Sequence, residues 1–188
     1  MKPSASSKYD TVSRAFHWIT ALAVTVAFVL GPERFGRLMR DGVDPATRLD
    51  IVWHESLGIF VFFATLLRLL WVLFRPAAPK FDMATWMKLA SQGTHIVLWA
   101  LLLATPFTAV MALGTESHPL TLLGGIRINE LPWTQQLPFS EAADWGDVHQ
   151  FLGDAIVWLA GLHAVAALYH HYVVKDGVLR SMMPGKAR

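Results

Sequence analysis

Residues 148–174 read VHQFLGDAIVWLAGLHAVAALYHHYVV. The only Asp, Glu, Lys or Arg in that run is Asp154, and a bilayer-spanning helix needs about 20 apolar residues. Within it His149 and His163 stand fourteen positions apart. On an α-helix that spacing turns through about 1400°, some 40° short of four full turns. The two imidazoles therefore share a face, about 21 Å apart along the axis, in a hydrocarbon core ~30 Å thick. Polar rings at that depth need partners.

The rest of the chain agrees with a membrane setting. Of 188 residues, 54% are hydrophobic and 16% charged, against about 25% charged in soluble domains. Eight Trp and eleven Phe add apolar bulk that a soluble domain of this length would struggle to hide. Further apolar runs predict spans at about 15–31, 51–74 and 94–113, with the fourth at about 147–173. The fold class is all-α: an integral membrane four-helix bundle, antiparallel, in one domain covering 1–188. Lys2, Lys8 and Arg14 before the first run resemble a signal peptide, but no small-x-small site follows, so an uncleaved first span is expected. The absence of cysteine excludes iron–sulfur ligation, disulfides and covalent c-type haem attachment. A net charge of +2 gives no footprint for nucleic acid.

Four spans put both termini on one side, and the positive residues say which. With the termini cytoplasmic, the inner segments hold Lys2, Lys8, Arg14, Arg75, Lys80, Lys88, Lys175, Arg180, Lys186 and Arg188. The outer loops hold Arg34, Arg37, Arg40, Arg48 and Arg127. Residues 75–93, with Pro76 and Pro79, read as a tight inner link. Residues 114–146 form a long outer connection whose apolar content (Leu122, Leu123, Ile126, Trp133, Phe139, Trp145) predicts a lid at the outer interface.

This orientation gives every histidine a level. His17 opens span one at the inner side. His54 opens span two at the outer side. His149 lies outer and His163 inner on span four. Two outer and two inner histidines thus pair by depth on different helices, which is what two six-coordinate b-type haems require. His95, opening span three at the inner level, is an alternative to His17 that spacing does not reject. Gly58, Gly153 and Ala21 lie one turn from His54, His149 and His17 and leave room for a macrocycle edge. Arg68, fourteen residues after His54, points to the same face at the inner level. It is a candidate partner for an inner haem propionate, with snorkelling to the interface as the competing reading. Glu55 and Asp154 are intramembrane acids able to bond a ligand or relay protons. His170 shares the face of His163 near the cytoplasmic surface, where a quinone carbonyl could take a hydrogen bond. His118, before Pro119, reads as an exposed loop residue.

Several segments resemble the bacterial cytochrome b561 family of small di-haem membrane proteins. They are Ser13-Arg14-Ala15-Phe16-His17-Trp18, His54-Glu55-Ser56-Leu57-Gly58, Arg68-Leu69-Leu70-Trp71 with Arg75-Pro76, and the terminal run from Gly161 through His163 and His170 to Pro184. The resemblance implies two haem b groups, with axial ligands at His17, His54, His149 and His163, and a ubiquinone contact at His170. It implies a multi-pass protein of the bacterial inner membrane that oxidises superoxide outside and reduces ubiquinone in the membrane. Two other roles fit the residues. One is an electron-transfer subunit that links a partner dehydrogenase or hydrogenase to quinone. The other is a haem-free proton-coupled carrier using buried His, Asp154 and Arg68.

Overall fold

The computed structural model describes residues 8–31, 38, 41–116, 120–128 and 139–185. Four helices long and apolar enough to cross a membrane form its body. They are α1 (Thr11–Leu30), α2 (Leu49–Phe74), α3 (Thr85–Glu116) and α4 (Trp145–Tyr169), the last continued by one π turn over His170–Val174. A short α5 (Val178–Met182) follows.

The helix starts follow from their caps. Asp10 accepts the Ser13 amide at 2.8 Å and Asp144 the Asp147 amide at 3.0 Å, each satisfying a donor of the first turn that has no partner inside the helix. This is why α1 begins four residues before its apolar run. The larger departure is α3. It starts at Thr85, so the inner link spans 75–84 rather than the expected 75–93. After Pro79 no proline interrupts the chain until Pro106, and Met87, Lys88, Leu89, Ala90 and Gln92 all favour helix. Apolarity marks where hydrocarbon begins; the helix itself can start earlier.

Packing is unequal. α1 lies most closely against α2, and α3 against α4, while contacts between these two hairpins are sparser. A single apolar layer closes the gap between them, with one buried residue from each helix: Ala23, Val61, Leu102 and Ile156. The remaining faces look outward with large apolar side chains, such as Trp158, Leu73 and Val29, as lipid contact requires.

The first and last described segments meet at one end of the bundle. The Tyr9 amide donates to the Ser181 carbonyl at 3.2 Å. The Trp18 indole donates to the Met182 carbonyl at 2.8 Å, and Arg14 donates to the carbonyls of Met183 and Gly185 at 2.9 and 3.0 Å. The terminal motif thus acts largely through its backbone oxygens. At the same end the Trp71 indole reaches the Asp10 carboxylate at 3.2 Å, tying α2 to α1.

At the opposite end the long connection folds into a small hairpin. β1 (Thr121–Leu122) pairs antiparallel with β2 (Ile126–Arg127). Gly124 and Gly125 turn it at φ of 89° and 78°, a left-handed conformation that glycine adopts without steric cost. Leu120 and Thr121 are buried. The hairpin is one described part of the expected lid; residues 139–146, with Phe139 and Trp145, are another, and Trp133 lies outside the described residues.

Candidate functional site

Three of the helices present their inward residues at seven-residue spacing. His54, Val61 and Arg68 follow one another on α2; His149, Ile156 and His163 do so on α4; His95 and Leu102 do so on α3. Seven residues turn through about 700°, 20° short of two turns, so each set lines one seam. The buried apolar layer therefore separates two histidine levels.

The outer level joins α2 and α4. The rings of His54 and His149 have centroids 5.9 Å apart and planes at 81°. The Nδ1 of His54 bonds the Ala27 carbonyl of α1 at 2.7 Å, and the Nδ1 of His149 bonds the Thr105 carbonyl of α3 at 2.8 Å. A carbonyl only accepts, so each Nδ1 carries the proton and each Nε2 keeps its lone pair. Two helices supply the rings and the other two orient them. The Ala27 carbonyl is available because the Gly31 amide turns to Phe28 instead, at 3.2 Å. A Cβ on Gly31 would meet the His54 ring at 3.4 Å.

Around this pair lies an apolar cavity of about 130 Å³. Val24, Phe28, Ile59, Ala109 and Val157 line it, with Gly58 and Gly153 on facing helices. A Cβ built at either glycine meets nothing within 4 Å, so both face open space. Leu120 closes the outer side. The hairpin that carries it is held by α2, where the Thr121 amide donates to the Glu55 carboxylate at 2.7 Å and the Leu123 amide to the Ser56 hydroxyl at 2.9 Å. Glu55 thus secures the lid.

The inner level holds three imidazoles. His17 of α1 and His163 of α4 have centroids 6.3 Å apart with planes at 65°, and His95 of α3 lies 5.1 Å from His163. His95 directs its Nδ1 to the Ser91 carbonyl at 2.6 Å. Arg68 stacks over the Trp99 ring at 5.6 Å and lies within electrostatic reach of all three histidines. Among the described residues no carboxylate forms an ion pair with Arg68, so its charge is available to an anionic group at that level.

A metal lies about 2 Å from an imidazole nitrogen that binds it, which puts two rings on opposite sides of one iron on the order of 6 Å apart between centroids. The pairs His54/His149 and His17/His163 match that span, whereas His95/His163 is shorter. With free Nε2 atoms, an apolar cavity and two glycines facing it, the outer level fits a bis-histidine haem. The inner level fits by its ring spacing.

The other expected residues separate. Asp154 is exposed on the outside of the bundle and meets neither pair. His170 bonds the Asp176 carboxylate through Nδ1, a partner not anticipated from the sequence. His118, Arg34, Arg37 and Arg40 fall outside the described residues. Two outer arginines are matched by acids: Arg48 grips Asp50 at 2.6 Å and Arg127 lies 3.8 Å from Asp44.

A family model described as prokaryotic cytochrome b561 matches residues 8–185. Cytochrome b561 homolog 2 of Escherichia coli is 29% identical over 94% of this chain and 91% of its own length. The probable superoxide oxidase CybB of Yersinia pestis is 29% identical over 95% and 97%. Cytochrome b562 of Cereibacter sphaeroides is 29% identical over 93% and 94%.

Proposed function

We start from the premise that this chain belongs to the prokaryotic cytochrome b561 family, haem b electron-transfer proteins of the bacterial inner membrane, and propose that it binds two haems and oxidises superoxide outside while reducing ubiquinone within the membrane. The observation that carries the reading is the pair of histidine couples, 5.9 and 6.3 Å across, on either side of one apolar layer. His54 and His149 would hold the outer haem, His17 and His163 the inner. Bound there, the haems supply reversible one-electron chemistry.

The chain's own residues set the conditions for it. The carbonyls of Ala27 and Thr105 fix the orientation of the outer rings and raise their basicity. Ala23, Val61, Leu102 and Ile156 form a dry layer, so that electrons can cross between the levels while water and protons do not. Arg68 offers its charge to the anionic edge of the inner group. Near the cytoplasmic face His170 provides a hydrogen-bond donor for a quinone carbonyl. In the net reaction two superoxide anions each lose one electron and leave as dioxygen. One quinone gains both electrons and two protons.

Superoxide as the donor draws support from the name carried by the Yersinia pestis relative. Because Arg48 and Arg127 face acids, attraction of an anion would depend on local guanidinium groups rather than on a broad positive surface. An electron-transfer subunit serving a partner dehydrogenase is the second reading, favoured by the same pairing of Arg48 and Arg127 with acids. The reduced-minus-oxidised spectrum with haem quantification, on wild type and on His17→Ala, His54→Ala, His149→Ala and His163→Ala, tests the assignment. Each variant should lose one haem; two full haems in His149→Ala would refute it. Rapid oxidation of superoxide by the isolated protein with added ubiquinone distinguishes the enzyme from the subunit.

A further inference from the structure

The Asp176 carboxylate is engaged at both oxygens. One meets the Nδ1 of His170 and the other accepts the Val178 amide at 3.0 Å. The two side chains are 14% and 8% exposed, so the contact is well shielded. The backbone is bent to make it. α4 ends in a π turn over His170–Val174, a rare form frequent at functional sites. Lys175 then takes φ of 60°, and its amide returns to the His170 carbonyl at 2.7 Å. Gly177 follows at φ of 81°. A non-glycine residue in the left-handed region is uncommon. Here it folds the chain back so that a residue six positions on faces His170. Tyr169 presents its ring edge to His170 at 6.3 Å. Among the described residues, only Asp176 forms an ion pair with His170.

We propose that Asp176 is a positioning residue for quinone reduction, holding the Nδ1 proton of His170 so that Nε2 delivers a proton to the quinone. The inference rests on the reading above in which His170 meets the quinone. With Nδ1 committed to the carboxylate, Nε2 is the only ring nitrogen left for substrate. As the quinone takes two electrons from the outer one-electron donor, one new O–H bond forms while the Nε2–H bond breaks. His170 is left neutral, still donating from Nδ1 to Asp176. Water at the cytoplasmic surface supplies the second quinol proton and the proton that restores His170.

The test uses the full-length haem-loaded protein and four variants: Asp176→Asn, Asp176→Glu, His170→Ala and the His170→Ala/Asp176→Asn double. The asparagine oxygen can still accept from Val178, so the turn is kept while the charge is lost. Loss of a hydrogen-bonded partner behind a functional imidazole typically costs roughly 10–100-fold. Asp176→Asn should therefore lower kcat with short-chain ubiquinone by about that factor. KM, calorimetric binding of the same quinone and the haem spectrum should stay at their wild-type values. Asp176→Glu should recover much of the rate, and the double variant should be no slower than His170→Ala. Wild-type kcat in Asp176→Asn beside a slow His170→Ala would overturn the inference and leave the quinone reading intact. So would an altered haem spectrum in Asp176→Asn, or losses that multiply in the double variant. Unimpaired quinone turnover in His170→Ala would instead remove the quinone reading itself.

Discussion

Replacing Gly153 by leucine separates what the polypeptide needs from what its cavity is for. Gly153 lies one turn beyond His149 and faces Gly58 across the outer cavity. A Cβ there meets nothing within 4 Å, so the bare protein accepts the side chain without a clash. Glycine inside a helix costs roughly 0.5–1 kcal/mol relative to alanine, so helix content should hold or rise slightly. A haem in the cavity changes the sign. Forcing a side chain into filled space typically costs 1–3 kcal/mol, and 1.4 kcal/mol is tenfold in affinity, so outer-haem binding should weaken by about 5- to 150-fold. His163 lies ten residues on, about 15 Å along the axis, so the inner haem should stay. Haem quantification by the pyridine haemochrome, with circular dichroism on the same sample, reads both effects. Fewer than two haems per chain, with undiminished helix, is expected. Gly161→Leu, on an exposed face where a Cβ also meets nothing, should keep two. Two haems with an unchanged spectrum in Gly153→Leu would refute the placement of the macrocycle.

Glu55→Ala removes the acceptor of the Thr121 amide. Leaving a buried donor without its partner costs about 1–3 kcal/mol, so amide exchange at Thr121 and Leu123 should accelerate by roughly 5- to 150-fold; unchanged protection would show that the hairpin is held by other contacts. Asp10 carries the pH dependence of the opposite end. Burial pushes its carboxyl up, but the bonds from the Ser13 hydroxyl and amide and from the Trp71 indole outweigh it and hold the carboxyl below the usual range. That contribution to stability is complete above the ordinary carboxylate value of about 3.9 and is lost as pH falls through the lower folded value. Thermal unfolding of Asp10→Asn should show a shallower acid slope, and an identical slope would mean that the capping carboxylate is not the group being titrated.

The four spans and both histidine levels were legible because they rest on the two quantities sequence states most directly, apolar run length and turn angle. Depth sorting put His54 with His149, and the rings do face each other. At the inner level it left His17 and His95 open. The structure brings both near His163, and the choice of His17 remains part of the proposal. What sequence left hidden is mostly backbone. The carbonyls of Ala27 and Thr105 that orient the outer rings belong to residues with no polar signature. Glu55 was visible as a costly intramembrane acid, but its partner is an amide 66 positions further on, which no spacing rule finds. Asp176 carried no signal of its own, because its meeting with His170 depends on a π turn and a left-handed lysine. The start of α3 was missed because Lys88, Ser91 and Gln92 end the apolar run while continuing the helix.

Each histidine couple takes one ring from α4, which is made after the other three long helices. While the first three spans sit in the membrane they hold His17, His54 and His95, but no opposing ring for either of the proposed centres. On the assignment above, a nascent chain cannot capture a haem in bis-histidine form. Cofactor loading has to wait for the fourth span, after which the Met182 and Met183 carbonyls can also reach Trp18 and Arg14. A product truncated before α4 would therefore lack both bis-histidine centres, whatever else it binds.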